Sequence, residues 1–383
     1  MFRLTQLLLG ATLALALLSV VSAAPQLHAL SERTVAKRAS VCNGDAALCT
    51  RLYSNVTYIG AHNSYAVGTI AGASAGKNQE QSVKTQLNDG IRLLQVQAHK
   101  SANSTSGSGI DLCHSSCSLE NGGTLESYLS TVKSWVDANP NDVLTLLIVN
   151  ADDLPASTFA TAFQSTGLAS KAYAPGSAAL TRYAWPTLGS LIDSGKNLVV
   201  FIDNSADVST VPYILPHFQN TWENAYDQTA TPFNCSVDRI NTGTNPTTLM
   251  YLINHYLDTS FSLFDTTVYV PNTAQLSTTN SLASILSDAN NCASLHAGVY
   301  PTYVLTDFYD VGNGSVFQAA ARMNGVQYTA KAIGNATKTG SGSSSASGSG
   351  SSSGAVAVGA TVNVGAGGVL PATMMLAVAS SLL

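Results

Sequence analysis

Short apolar runs rich in Val, Ile, Leu and Tyr recur along the chain, at 56–60, 91–97, 110–113, 143–150, 197–203, 248–254 and 303–308. Two of them, Val143-Leu144-Thr145-Leu146-Leu147-Ile148-Val149-Asn150 and Leu198-Val199-Val200-Phe201-Ile202-Asp203, are nearly unbroken. Continuous apolar character marks strands covered on both faces, as in a parallel sheet. Between runs, residues 124–138 place apolar side chains at 125, 128, 129, 132, 135 and 136. That spacing predicts a helix, opened by Gly122-Gly123-Thr124 and stopped by Asn139-Pro140. Strand and helix alternate often enough to predict an α/β fold, a TIM-type (β/α) barrel. Residues 40–335 suit one such unit, since these barrels run to about 250 residues.

The two ends read differently. Arg3, an apolar stretch from Leu7 to Val21 and the small residues Val21-Ser22-Ala23 have the form of a secretory signal, so residues 1–23 are expected to be removed. Lys37-Arg38 offers a dibasic cut that would make 24–39 a propeptide, and a solvated charge pair is the alternative. Residues 336–354 are a Ser/Gly-rich stalk that cannot bury a core. Residues 355–383 are apolar, carry no charge and have no basic flank, which is the form of a GPI-attachment signal. The expected location is therefore the cell surface, anchored by lipid to the outer leaflet or held in the wall.

The formal net charge of −5 and the lack of basic clusters argue against a nucleic-acid partner. Six cysteines in an exported chain predict disulfides, with Cys42–Cys49, Cys113–Cys117 and Cys235–Cys292 as the simplest pairing. Sequons at Asn55, Asn103, Asn234, Asn313 and Asn335 fit a glycosylated surface protein. Nothing predicts self-association, and a monomer is expected.

Barrels of this type carry their chemistry at the C-terminal ends of the strands. His62 and Asn63, Gln95 and Gln97, His114, Asn150, Asp203, Asn254 and Asp307 all fall at or just past the ends of predicted strands. Two histidines so placed suit in-line cleavage of a phosphodiester. One imidazole takes the proton of an attacking hydroxyl while the other protonates the leaving oxygen. A free imidazole titrates near ~6.5, so both forms are available around neutrality.

Tyr58-Ile59-Gly60-Ala61-His62-Asn63-Ser64-Tyr65, Gly90-Ile91-Arg92-Leu93-Leu94-Gln95-Val96-Gln97 and Leu112-Cys113-His114 resemble the X-domain of phosphatidylinositol-specific phospholipases C, in its secreted fungal branch of PLC-like phosphodiesterases. Phe201-Ile202-Asp203, Trp222-Glu223, Asn254-His255 and Leu305-Thr306-Asp307 extend the resemblance across roughly residues 42–330. It implies a distorted TIM barrel that splits a phosphodiester by attack of a neighbouring substrate hydroxyl, through a cyclic phosphate. It further implies His62 as general base, His114 as general acid and Asp307 as the carboxylate orienting an imidazole. Asn63, Gln95, Gln97, Asn150, Asp203 and Asn254 would line the substrate, a phospholipid or a glycerophosphodiester.

Gln95 and Gln97 stand where bacterial members of the resembled family carry an arginine and calcium-dependent members carry carboxylates. A neutral amide cannot replace a cation beside the developing phosphate charge, a loss of about 3–4 kcal/mol. Calcium, which favours carboxylates, is disfavoured, and no cofactor is expected. Arg92 and Lys100 are nearby in sequence, and geometry decides whether either points inward. The alternative function is a barrel of weak or no activity that serves as a surface or wall binding protein. Gly72-Ala73-Ser74-Ala75-Gly76 fits the G-x-S-x-G of serine hydrolases but lacks a buried strand before it. Cys113, His114 and Cys117 admit a metal reading, against which a local disulfide is preferred. The remaining histidines His99, His217, His255 and His296 read as structural or solvated, with a place lining the site as the alternative for His255, which follows Asn254 at a strand end.

Overall fold

The computed structural model describes residues 38–334, apart from 103–106 and 264–265. The expected signal peptide, most of the propeptide, the stalk and the GPI-attachment signal lie outside the described residues. Eight parallel strands curl into a barrel: β1 Tyr58–Ala61, β2 Leu93–Lys100, β5 Leu144–Asn150, β6 Leu198–Ile202, β7 Ile214–Pro216, β8 Thr221–Glu223, β9 Met250–Asn254 and β12 Tyr303–Thr306. Their order is β7-β6-β5-β2-β1-β12-β9-β8. Two short strands, β3 Ile110–Cys113 and β4 Asn121–Thr124, add an antiparallel flap to β2. A separate hairpin joins β10 Asp258–Leu263 to β11 Thr266–Pro271. The helices are α1 Val83–Asp89, α2 Leu125–Ala138, α3 Ala156–Ser165, α4 Leu188–Asp193, α5 His217–Asn220, α6 Leu276–Thr279, α7 Leu282–Leu295 and α8 Ser315–Asn324.

The long apolar runs became barrel strands within a few residues of their expected bounds, and α2 begins at the expected cap, with Thr124 accepting from the Ser127 N–H. The run at 110–113 differs. It is a strand, but it pairs antiparallel with β2 as part of the flap. β7 and β8, three residues each, carry too little pattern to be read as strands, and no ladder joins them among the described residues. The barrel is thus a ring cut once, with the one-turn α5 spanning the cut.

Alternation along each strand divides the apolar residues into two cores. Ile59, Leu94, Val96, Leu146, Ile148, Val200, Ile253 and Val304 face outward and pack with the helices. Tyr58, Leu93, Leu147, Phe201, Leu215, Leu252, Tyr303 and Leu305 fill the interior. The packing around Gly60 is tight enough that an added Cβ would lie 2.8 Å from Leu93 and 2.9 Å from Leu305. The N-terminal mouth is plugged by Tyr53 and Trp185, with ring centroids 4.9 Å apart. The Tyr53 hydroxyl bonds both Thr145 and Tyr303, each at 2.5 Å. All three disulfides of the simplest pairing are formed, and the described sequon residues Asn55, Asn234 and Asn313 are exposed. Among the described residues no helix is long and apolar enough to cross a membrane.

The plug yields a stability prediction that is separate from the chemistry at the other mouth. Tyr53→Phe leaves the buried hydroxyls of Thr145 and Tyr303 short of a partner, a cost of about 1–3 kcal/mol. Urea denaturation should show that loss while ligand binding at the C-terminal mouth is unchanged.

Candidate active site

The parallel pairing of β1 with β12 sets Ala61 beside Thr306, so the next residues of both strands, His62 and Asp307, also meet. The Nδ1 of His62 donates to Oδ1 of Asp307 at 2.9 Å. Its ring lies flat on Tyr256, centroids 4.2 Å apart and planes 10° off parallel. Asn63 follows at φ +40°, a left-handed turn that asparagine tolerates, and this folds the chain back across the mouth. With Nδ1 committed to the carboxylate, Nε2 is the nitrogen left for chemistry. It is 3.2 Å from the side-chain amide of Asn63.

His114 arrives by the flap. β3 runs back along β2, and the loop after it is closed by the Cys113–Cys117 disulfide. Nδ1 of His114 donates to the Gly76 carbonyl at 2.8 Å, so here too Nε2 is the free nitrogen. The two rings stand 6.4 Å apart, centroid to centroid, at 77°.

Their environments split the two imidazoles. Burial opposes charge on His62, but Asp307 outweighs it by charge and hydrogen bond, with Asp258 and Asp227 behind, and the pKa is raised. His114 is held below its ordinary value, first by burial and then by repulsion from His62; the Gly76 carbonyl only partly offsets this. Asp258 itself is pushed up to about 7 by burial and by the neighbouring Asp307 and Asp227 carboxylates.

A cavity of about 470 Å³ opens in front of both histidines. Asn63, Gln95, Gln97, Asp203 and Asn254 line it, as do Glu223, Tyr226, Asp227 and Arg239. The β10–β11 hairpin brings Thr267, Val268 and Tyr269 against it. Two expected site residues do not line the cavity: Asp307, buried behind His62, and Asn150. The Asn150 amide donates to Leu154 O at 2.8 Å and to Asn204 Oδ1 at 3.0 Å, and its own oxygen accepts from Leu154 N, so it braces the loop after β5. Asp203 lines the cavity while accepting from the Asn150 N–H at 2.9 Å, and burial raises its pKa.

The glutamines have a different task from the one their positions suggest. Oε1 of Gln95 accepts the Asn63 N–H and Oε1 of Gln97 accepts the Ser115 N–H, each at 2.6 Å. Each therefore ties down a backbone beside one histidine, and its NH₂ end is what remains for a ligand. Both glutamine oxygens thus already accept a backbone N–H, and uncharged amides are weaker calcium ligands than carboxylates. Among the described residues no group of three or more His, Cys, Asp or Glu is arranged to hold a metal ion.

Neither of the two cations near these glutamines in sequence lines the cavity. Arg92 sits at the opposite mouth, bonded to Asp142 at 2.9 Å and stacked over Trp135, and Lys100 does not line the cavity. The cavity's guanidinium is Arg239, which comes from the irregular stretch after β8, pairs with Glu223 and lies 4.5 Å over the Tyr226 ring. Burial raises the Glu223 pKa, but Arg239 and His217 outweigh it, so the carboxyl is held below its usual range. No periodicity marks Arg239 in the sequence, whereas Glu223 obeys the same strand-end rule as Asp307. His255 points outward, bonded to Asp288 at 2.7 Å and Thr279 O at 2.8 Å. The G-x-S-x-G segment overlaps a 3-10 helix, Ile70–Ala75, and follows no buried strand. Cys113 and Cys117 are spent on each other.

With that geometry in view, the likenesses to known proteins can be placed. An Arthroderma benhamiae protein named as an uncharacterized secreted protein is 43% identical over 306 residues, 77% of this chain. The aligned part spans 66% of that relative's own length. A PI-PLC X domain-containing protein 1 of the same organism is 39% identical over 292 residues, covering 75% of this chain and 90% of the relative. Among solved structures, the phosphatidylinositol-specific phospholipase C of Listeria monocytogenes superposes with a TM-score of 0.46 at 13% identity, over 71% of this chain and 94% of that one. A double mutant of the Staphylococcus aureus enzyme gives 0.47 at 14% identity, over 73% and 94%. The family model described as PI-PLC X 1 matches residues 48–324, the whole of the barrel, and the chain belongs to that PI-PLC X domain family.

Proposed function

We propose that the protein is a phosphodiesterase of the phospholipase C type, with His62 as general base and His114 as general acid. The observation that carries this reading is the pair of facing imidazoles, each with Nδ1 tied to a protein oxygen. A substrate hydroxyl adjacent to the phosphate gives its proton to Nε2 of His62 as its oxygen bonds to phosphorus. The opposite P–O bond breaks, its electron pair stays on the leaving oxygen, and Nε2 of His114 supplies that oxygen's proton. The product is a cyclic phosphodiester, and Asp307 stabilises the imidazolium formed on His62. Asp203, Glu223 and Asp227 offer hydroxyl acceptors beside Arg239 and two partly exposed tyrosines, Tyr226 and Tyr269. That wall suits an uncharged polyhydroxyl headgroup better than one bearing further phosphates, and a phospholipid or glycerophosphodiester with such a headgroup is the proposed substrate. The secreted relative and the three disulfides support an extracellular setting, in which the proposed GPI signal would place the barrel beside lipid. A second reading, a barrel that binds without turnover, is favoured by one feature: neutral Gln95 and Gln97 at the end of β2.

The test is cleavage of phosphatidylinositol and of glycerophosphoinositol by the purified full-length protein. Turnover is expected to survive chelator, because no proposed step uses a metal. His62→Ala and His114→Ala should each reduce kcat about 100- to 10,000-fold. Retained ligand binding by folded wild-type protein with no cleavage of either substrate would establish the second reading.

The pH dependence has a definite sign. Activity requires neutral His62 and protonated His114, so the rate falls below the first group's pKa and above the second's. In Asp307→Asn the charge that raises His62 is gone. The acid limb of kcat/KM should therefore move to lower pH, with a lower maximum because the ring loses its orienting partner. An acid limb that stays in place would remove Asp307 from the mechanism.

A further inference from the structure

One short segment, from Gly76 to Gln79, touches the supports of both histidines. The Gly76 carbonyl takes the Nδ1 proton of His114. Gln79 donates to the backbone oxygens of His62 and Thr306, both at 2.9 Å, which stitches the ends of β1 and β12 together. Between them Asn78 is 1% exposed and makes three side-chain contacts at the site. Its amide nitrogen donates to Asp307 Oδ1 at 3.1 Å and lies 3.3 Å from His62 Nδ1; its oxygen accepts from the Asn63 amide at 3.1 Å. Since the Asn63 amide also faces His62 Nε2, the four side chains form a closed ring: His62, Asp307, Asn78 and Asn63.

We propose that Asn78 is a positioning residue of this site, closing the ring that aims His62 while its own segment holds His114 at working distance. The proposal rests on the two-histidine reading above, but its physical content does not need turnover to be measured. Asn78 presents N–H groups, which are locally positive, to both Asp307 and Nδ1 of His62. It therefore shares the carboxylate with the imidazole and weakens that carboxylate's hold on the imidazolium. Without it Asp307 would have one donor fewer and would favour the protonated ring more strongly. The base would then be withheld at the pH where it is needed. Gly76 has a matching constraint. Its φ of +85° and the His114 Nδ1 3.1 Å from where a Cβ would stand leave little room for any other residue.

The experiment is an NMR titration of the imidazole protons of His62 and His114 in the full-length protein, wild type against Asn78→Ala. The other groups around His62, namely Asp307, Asp258, Asp227, His114 and Tyr256, are unchanged in the variant. The His62 midpoint is expected to move upward. If the protein is active, the acid limb of kcat/KM should move upward with it. The value of kcat should fall about 10- to 100-fold, the scale for losing a partner that orients a reactive imidazole. Asn78→Asp, which replaces the amide donor by an acceptor of nearly equal size, should shift His62 in the same direction and covers the case in which the alanine variant does not fold. A His62 midpoint unmoved in a folded variant would overturn the proposal, whether or not the wild type cleaves phosphodiesters. A shifted midpoint in a protein with no turnover would uphold the ring and sink the enzymatic reading instead.

Discussion

The in-register pairing of β1 with β12 is the constraint on which the open end of this barrel depends. It is a backbone arrangement, made by Tyr58 opposite Tyr303 and continued to Ala61 opposite Thr306, and it is sealed by apolar side chains on both faces. The strand ends deliver His62 and Asp307 side by side. A slip of one residue would point both outward, because side chains alternate along a strand.

From the contact of His62 with Asp307 follows the inequality of the two imidazoles. His62 sits among carboxylates and holds its proton more firmly than a free ring, whereas His114 is buried beside a carbonyl and holds its proton less firmly. For base His62 and acid His114, the productive form is the minority one before substrate arrives. An anionic phosphodiester lying between them would favour the proton on both rings, which helps His114 as an acid but opposes neutral His62. Asp258 and Asp227 also favour the proton on His62, so a neighbouring N–H donor that counters them makes the neutral ring easier to reach. Asn78 is placed to do part of this.

Legibility in the sequence follows the physics of each element. Buried strands such as 144–150 announce themselves because both of their faces must be apolar. His62, His114 and Asp307 were visible because the polar ends of such strands are conspicuous. β7 and β8 were not, since three residues cannot show a period. Arg239 and Asn78 were invisible for a related reason: both lie in irregular segments whose side-chain directions no repeat predicts. The glutamines were legible as strand-end residues, and both line the cavity. Their carbonyl ends also serve two backbone N–H groups, a use that only the folded loops disclose. Asn150 differs: it does not line the cavity, because its amide and carbonyl are both turned to the loop that it braces.

The cut between β7 and β8 has a mechanical meaning. A ring severed at one point is compliant there and stiffest at the diametrically opposite arc. In the strand order the cut lies between Asp203's side and Glu223's side of the cavity, while β2, β1 and β12 occupy the far arc. A side-chain clasp, His217 on α5 to Glu223 on β8 at 2.7 Å, spans the gap where backbone bonds are missing. Any widening at the cut would alter the polar wall of the cavity while leaving the His62–Asp307 pair on the opposite arc undisturbed.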